Sequence, residues 1–215
     1  MLGRVAAMVV PVCGRLGVST AAPIGASEGA IVAANHTSLA DPAIVLAALH
    51  RLGVRPAVLA TAGLWRIPVL RTALEREGCI PVRRGTARAA ESLEAAAAAL
   101  REGRTVLIYA EGGLPRRRDS GERAPGEFRS GLARLALATG APVLPLGQAG
   151  ARRLSSGSGT KQLAGVLTAP LRRPDYHVHL GAPVQVDGEL AAVREQVRAA
   201  VTGAWQEAVR RRGLG

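Results

Sequence analysis

Apolar residues along this chain fall into short continuous runs, separated by polar turns and by stretches with helical spacing. Ala30 to Ala34 is uninterrupted, the pattern of a strand buried on both faces. Thr105 to Tyr109 and Pro142 to Leu146 read the same way, and Pro56–Ala60, Gly78–Val82 and Tyr176–Leu180 are further strand candidates. Helical patterns lie between them. Residues 42–51 form one helix, ended by Gly53, and Thr86 can cap an Ala-rich helix reaching Arg101. Gly63 to Glu75 carries an apolar face of Leu64, Trp65, Ile67, Leu70 and Leu74, with Pro68 starting or kinking the helix. Ser130 to Thr139 is a helix closed by Gly140, and Glu189 to Arg212 is an amphipathic helix whose stripe is Leu190, Val193, Val197, Val201, Trp205 and Val209. Residues 1–29 read as a helical or extended lead-in, and residues 148–170, rich in Gly and Ser, as a flexible loop. Strands alternating with helices predict a single α/β domain with a largely parallel central sheet flanked by helices.

Three of these strands end in polar residues. His36 and Asp41 bracket the turn between the first strand and its helix, Arg83 and Arg84 follow the strand at Val82, and Glu111-Gly112-Gly113 follows the strand at Tyr109. In an open α/β sheet, ligands bind beyond the strands' carboxyl ends. If these strands are neighbours, a His–carboxylate pair meets a cationic anchor and a Gly-rich turn, a set that can bind a phosphorylated alcohol and deprotonate its hydroxyl. Asp41 before Pro42 is also what an ordinary helix start requires, and Asn35 and Ser38 are common turn residues. Ser38 lacks the Gly-x-Ser-x-Gly setting of a hydrolase nucleophile.

Charge and composition narrow the classes. The 215 residues carry 28 Lys and Arg against 16 Asp and Glu, a formal net charge of +12, which attracts phosphate in some form. Aromatic residues are only 2%, too few for base-stacking platforms, and the basic residues are dispersed, so nucleic acid is not an expected partner. The core must be built from Ala, Val and Leu. Cys13 and Cys79 have no metal-ligand spacing, His177 and His179 have no nearby third ligand, and no metal is expected. The run from Gly157 to Lys161 lacks the spacing of a phosphate loop. Val5 to Cys13 is apolar between Arg4 and Arg15. It is too short to span a bilayer, and it reads as packed or as lying on a membrane surface.

The ordered motifs over about residues 30–147 resemble those of the lysophospholipid acyltransferase family. They are Asn35-His36 with Asp41, Gly78-Cys79-Ile80-Pro81-Val82-Arg83-Arg84, Tyr109-Ala110-Glu111-Gly112-Gly113-Leu114, and Ala141-Pro142-Val143-Leu144-Pro145, with Phe128 and Gly131 matching a Phe-x-x-Gly element. The resemblance implies a glycerolipid acyltransferase-like fold and transfer of a fatty acyl group from acyl-CoA or acyl carrier protein to lysophosphatidate, giving phosphatidate. His36 would be the general base and Asp41 its orienting carboxylate. Arg84, Glu111, Gly112, Gly113 and Arg116 would hold the acceptor, with Glu111 orienting Arg84 or accepting from an acceptor hydroxyl. The thioester is a co-substrate and no cofactor is implied. An anionic membrane surface is an implied partner, which places the protein in the cytoplasm, peripheral on the inner face of the cell membrane.

The chain departs from the family pattern in its third motif, where Thr and Arg are usual and Gly113 and Leu114 stand here, Arg116 being the nearest replacement. Arg83 stands where an acidic residue is common. These differences keep open the same chemistry on a non-glycerolipid acceptor, such as an amino-lipid or secondary metabolite. A non-enzymatic basic membrane- or nucleic-acid-binding protein is the competing class.

Overall fold

The structure is a computed structural model that describes residues 1–21, 28–83, 89–114 and 119–214. Among these, seven strands form one sheet: β1 (Arg15–Thr20), β2 (Ile31–Ala34), β3 (Ala57–Thr61), β4 (Ile80–Val82), β5 (Val106–Tyr109), β6 (Val143–Ala149) and β7 (Asp175–Leu180). Their order is β1-β7-β6-β2-β5-β3-β4. β6, β2, β5, β3 and β4 all run parallel, so the ends that carry His36, Glu111 and Arg83 share one edge. β7 is antiparallel to β6, and β1 pairs parallel with β7.

Helices cover both faces. α1 (Leu2–Cys13), α2 (Asp41–Arg51), α6 (Ala151–Leu154) and α7 (Gly159–Arg172) enclose a core with Val32, Ala34, Leu107, Tyr109 and Leu146. α4 (Ala89–Arg101), α5 (Ser130–Thr139) and α8 (Leu190–Arg212) enclose the other with Ile31, Ala33, Val106 and Ile108. α3 (Pro68–Arg76) follows a 3₁₀ turn at Ala62–Arg66 and contributes Leu74 to the first core. Alternate residues of each central strand enter opposite cores, which is why those strands are apolar throughout. Each fully buried Val, Leu or Ile contributes about 1.5–3 kcal/mol.

Two expectations need correction. Residues 148–170 are not a loop: β6 continues to Ala149, and α6 and α7 follow. Ser158 caps α7 by accepting from the Lys161 N–H, so its Ser and Gly residues mark a helix start. The lead-in, expected as helical or extended, is helix α1 followed by strand β1, whose partner lies some 160 residues away. In α8 the buried stripe runs through Val193, Val197 and Val201 and then Ala204 and Ala208, leaving Trp205 and Val209 partly exposed. Small residues are required there because α8 lies almost on the sheet. A Cβ on Gly147 of β6 would stand 2.1 Å from the Ala204 carbonyl carbon and the Trp205 nitrogen.

Gly147→Ala is therefore expected to destabilise the protein by about 3 kcal/mol or more, because backbone and not a flexible side chain must yield. The urea midpoint measures this. A loss under about 0.5 kcal/mol would mean that α8 can lift from the sheet at no cost.

Candidate active site

β2 ends at Ala34, and the next seven residues turn into α2. Asp41 is the first residue of that helix and is 0% exposed, yet its side chain does not cap the helix. It reaches back. Its Oδ2 accepts from His36 Nδ1 at 2.8 Å, from the Ser38 N–H at 2.9 Å and from the Thr37 N–H. Its Oδ1 accepts from the Thr37 hydroxyl at 3.3 Å. A buried carboxylate with this many donors is fixed in place. The His36 ring is 14% exposed. With Nδ1–H held by Asp41, its Nε2 is the basic nitrogen.

The turn is pinned from three other elements. Asn35, fully buried, donates Nδ2–H to the Gln148 carbonyl at 3.1 Å and accepts the Gln148 N–H at 2.8 Å. Gln148 Nε2 donates to the Thr37 hydroxyl at 2.9 Å, which itself donates to Asp41. Arg152 of α6, 4% exposed, donates to the Thr37 carbonyl at 2.8 Å and the Asp119 carbonyl at 2.9 Å. Ser38 is buried, and its hydroxyl donates to the Ser155 carbonyl, a packing role. Thr37, Gln148 and Arg152 were not singled out by sequence reasoning. The usable signal was Gln148, a polar residue within an otherwise apolar strand.

Glu111 receives two backbone donors. Its Oε1 accepts the His36 backbone N–H at 2.8 Å, and its Oε2 accepts the Gly126 N–H at 3.1 Å. Both carboxylate oxygens thus hold backbone and tie β5 to the His36 turn. Gly112, at φ 72°, turns the chain beyond it. Gly113 lies in the same bend, and no contact draws it to His36. Arg84 and Arg116 lie outside the described residues. Tyr109 was not foreseen: its ring centroid is 4.4 Å from that of His36, and its buried phenol is pushed well up, chiefly by desolvation and then by the Asp41 charge.

Beside this edge, on the α4–α5 side, lies a cavity of about 690 Å³. Leu59, Val82, Leu93, Ile108 and Leu132 give it apolar walls, and Tyr109 and Gly112 join it to the His36 turn. β4, three strands from β2, thus contributes Val82 to the same cavity. His177 and His179 lie elsewhere, on β7, sharing the Ser19 hydroxyl at 2.9 Å each, and burial lowers both pKa values. Among the described residues no three His, Cys, Asp or Glu side chains gather as a metal site.

The site is thus a buried His–Asp pair at the carboxyl edge of a parallel sheet, next to an apolar cavity. The family profile described as Acyltransferase matches residues 15–148, more than half of the chain, and the chain belongs to that family and is an acyltransferase. The fold is similar to that of the solved 1-acyl-sn-glycerophosphate (LPA) acyltransferase PlsC from Thermotoga maritima, with a TM-score of 0.72 at 20% identity, covering 95% of this chain and 78% of that one. A search of curated protein sequences returned no match.

Asn35→Ala is expected to cost about 2–4 kcal/mol, because it orphans a buried N–H and a buried carbonyl of Gln148 at once. Thermal or urea unfolding measures the loss, and an unchanged stability would show that the strand end is held by other contacts.

Proposed function

We propose that this acyltransferase moves a fatty acyl group from an acyl thioester, on CoA or acyl carrier protein, to the hydroxyl of lysophosphatidate. The observation that carries the reading is the Nδ1–Asp41 bond, which leaves His36 Nε2 to act as a base. Nε2 takes the acceptor's hydroxyl proton while its oxygen attacks the thioester carbonyl carbon. The new C–O bond forms, the C–S bond breaks, and the imidazolium returns its proton to the departing thiolate. Asp41 stabilises the imidazolium and keeps the tautomer. Because the acceptor is itself the nucleophile, no acyl-enzyme is required. The apolar cavity suits a fatty chain, and the family membership and the similarity to PlsC favour a glycerophosphate acceptor over an unrelated alcohol.

We further propose peripheral attachment to the cytoplasmic face of an anionic membrane. No helix among the described residues is long and apolar enough to cross a membrane. α1 buries Ala6 and Val10 and exposes Val5, Met8, Val9 and Val12 on its other side. α7, which packs beside α1, exposes Leu163, Val166, Leu167 and Leu171. Arg4, Lys161, Arg172 and Arg173 border these residues, each contributing about 1 kcal/mol near an anionic surface. Leu39, within the His36 turn, is 67% exposed.

Thiol release from a long-chain acyl-CoA, with and without lysophosphatidate, tests the chemistry. His36→Ala is expected to lower the acceptor-dependent rate by roughly 10²–10⁴-fold, the scale of a lost general base. Release with a different alcohol or amine and none with lysophosphatidate would move the acceptor to another class. An active His36→Ala protein would remove the mechanism. Sedimentation with phosphatidylglycerol vesicles is expected to capture the protein, phosphatidylcholine vesicles much less so, and Leu167→Asp with Leu171→Asp is expected to abolish capture. Equal capture by both lipids would exclude the electrostatic part of the reading.

A further inference from the structure

Between Asp119 and Phe128 the chain forms neither helix nor strand, yet it is bound at both ends to the turn that holds His36. Pro125 and Phe128 are buried and Glu122 is half-buried, whereas the residues between them are exposed. With no ladder of its own, this strap depends on side chains that reach it from other elements. At one end the buried Arg152 donates to the Asp119 carbonyl at 2.9 Å and to the Thr37 carbonyl at 2.8 Å. At the other, Glu111 accepts the Gly126 N–H at 3.1 Å and the His36 N–H at 2.8 Å. Two bridges thus run from the strap into the catalytic turn, one to residue 37 and one to residue 36.

Glu122 fixes the strap between these bridges. Its Oε1 accepts the Gly150 N–H at 2.8 Å and Nη1 of Arg212 at 2.5 Å. Both side chains of this ion pair are 15% exposed, whereas the arginines of the surface pairs Arg71–Glu75 and Arg210–Glu207 are 63% and 60% exposed. Water therefore screens the Glu122–Arg212 pair less than it screens those. Arg210 and Arg211 pair with Glu207 of their own helix, while Arg212, the last residue of α8, reaches 90 positions back along the chain. The anchor itself is rigid. Gly150, at φ 97°, packs so closely on the start of β7 that a Cβ would stand 2.1 Å from the Asp175 carbonyl oxygen. α8 is pressed equally hard on β6 at Gly147.

We infer that Glu122 and Arg212 are positioning residues for the transfer reaction: they clamp the strap to the end of α8, and the strap steadies the His36 turn through Arg152 and Glu111. The clamp acts through those two bridges, at a distance from the reacting atoms. General-base catalysis is sensitive to such support, since a misplacement of about 1 Å can cost roughly 100-fold in rate. With the pair broken, both bridges remain but their outer ends are no longer anchored. The lining of the apolar cavity includes neither residue, so substrate binding is unaffected. This inference rests on the acyl-transfer reading above.

The test uses the full chain, thiol release from palmitoyl-CoA with lysophosphatidate as acceptor, and amide hydrogen exchange read by mass spectrometry. Glu122→Ala and Arg212→Gln are each expected to lower kcat by roughly 10–100-fold, with the KM for both substrates held within about twofold. Exchange is expected to rise in residues 35–41 and 119–128 and to stay unchanged in β2 and β5. The double variant is expected to lose no more than Glu122→Ala alone, because both changes break one contact. Arg212→Lys keeps the charge and is expected to recover most of the rate. Arg210→Gln, a neighbour paired with Glu207 at the surface, is expected to change nothing. Unchanged kcat in both single variants overturns the inference and leaves acyl transfer intact. A lower rate with exchange raised throughout the molecule also overturns it, since the pair would then be a general stabiliser. In a protein that transfers no acyl group, raised exchange confined to the two segments keeps the clamp and counts against the acyl-transfer reading alone.

Discussion

One buried carboxylate organises this molecule. Asp41 has no contact with solvent, and His36 Nδ1, two backbone N–H groups and the Thr37 hydroxyl surround its carboxylate and supply the hydrogen bonds that water cannot. Those donors all come from the six residues before it. The carboxylate therefore curls the chain into a fixed turn, and the orientation of the His36 ring is a consequence of that turn. Removing the charge would leave several donors unpaired in an apolar interior. Removing the donors would leave a bare charge there. Neither half is stable alone.

The rest of the fold supports this turn from outside. Asn35 is bound to β6 through both amide atoms, Glu111 reaches from β5 to the His36 N–H, and Arg152 of α6 holds the Thr37 carbonyl. The parallel order β6-β2-β5 is what allows this, since it brings three strand ends to the same edge. Reversal of β7 then lets β1 and α1 close the far side of the sheet without crowding that edge. α8 lies so close over β6 that Gly147, Ala204 and Ala208 must all be small, and this fixes the strand from which Gln148 emerges.

The two faces of the sheet have been put to different uses. The α1, α2 and α7 side contains the Tyr109 ring and carries most of the exposed aliphatic residues. The α4 and α5 side holds the apolar cavity. Polar chemistry sits at the edge between them.

Much of this was legible from local pattern. The apolar runs at 31–34, 106–109 and 143–146 identified the central strands, because a strand buried on both faces has no polar positions to spend. His36, Asp41, Glu111 and Gly112 stood out because turn chemistry and strand ends are encoded within a few residues. What local pattern did not contain was any contact across the chain. The strand β1, the helices hidden in residues 148–170 and the backbone partners of Glu111 all depend on residues brought together by the sheet order, some separated by more than a hundred positions. The sequence by itself determined the central strands, most of the helices and the residues that end them, since burial period and turn propensity act over single elements. Only the tertiary structure decided which polar groups pair, because hydrogen bonds and ion pairs form over about 3 Å in space, and spacing along the chain does not specify that distance.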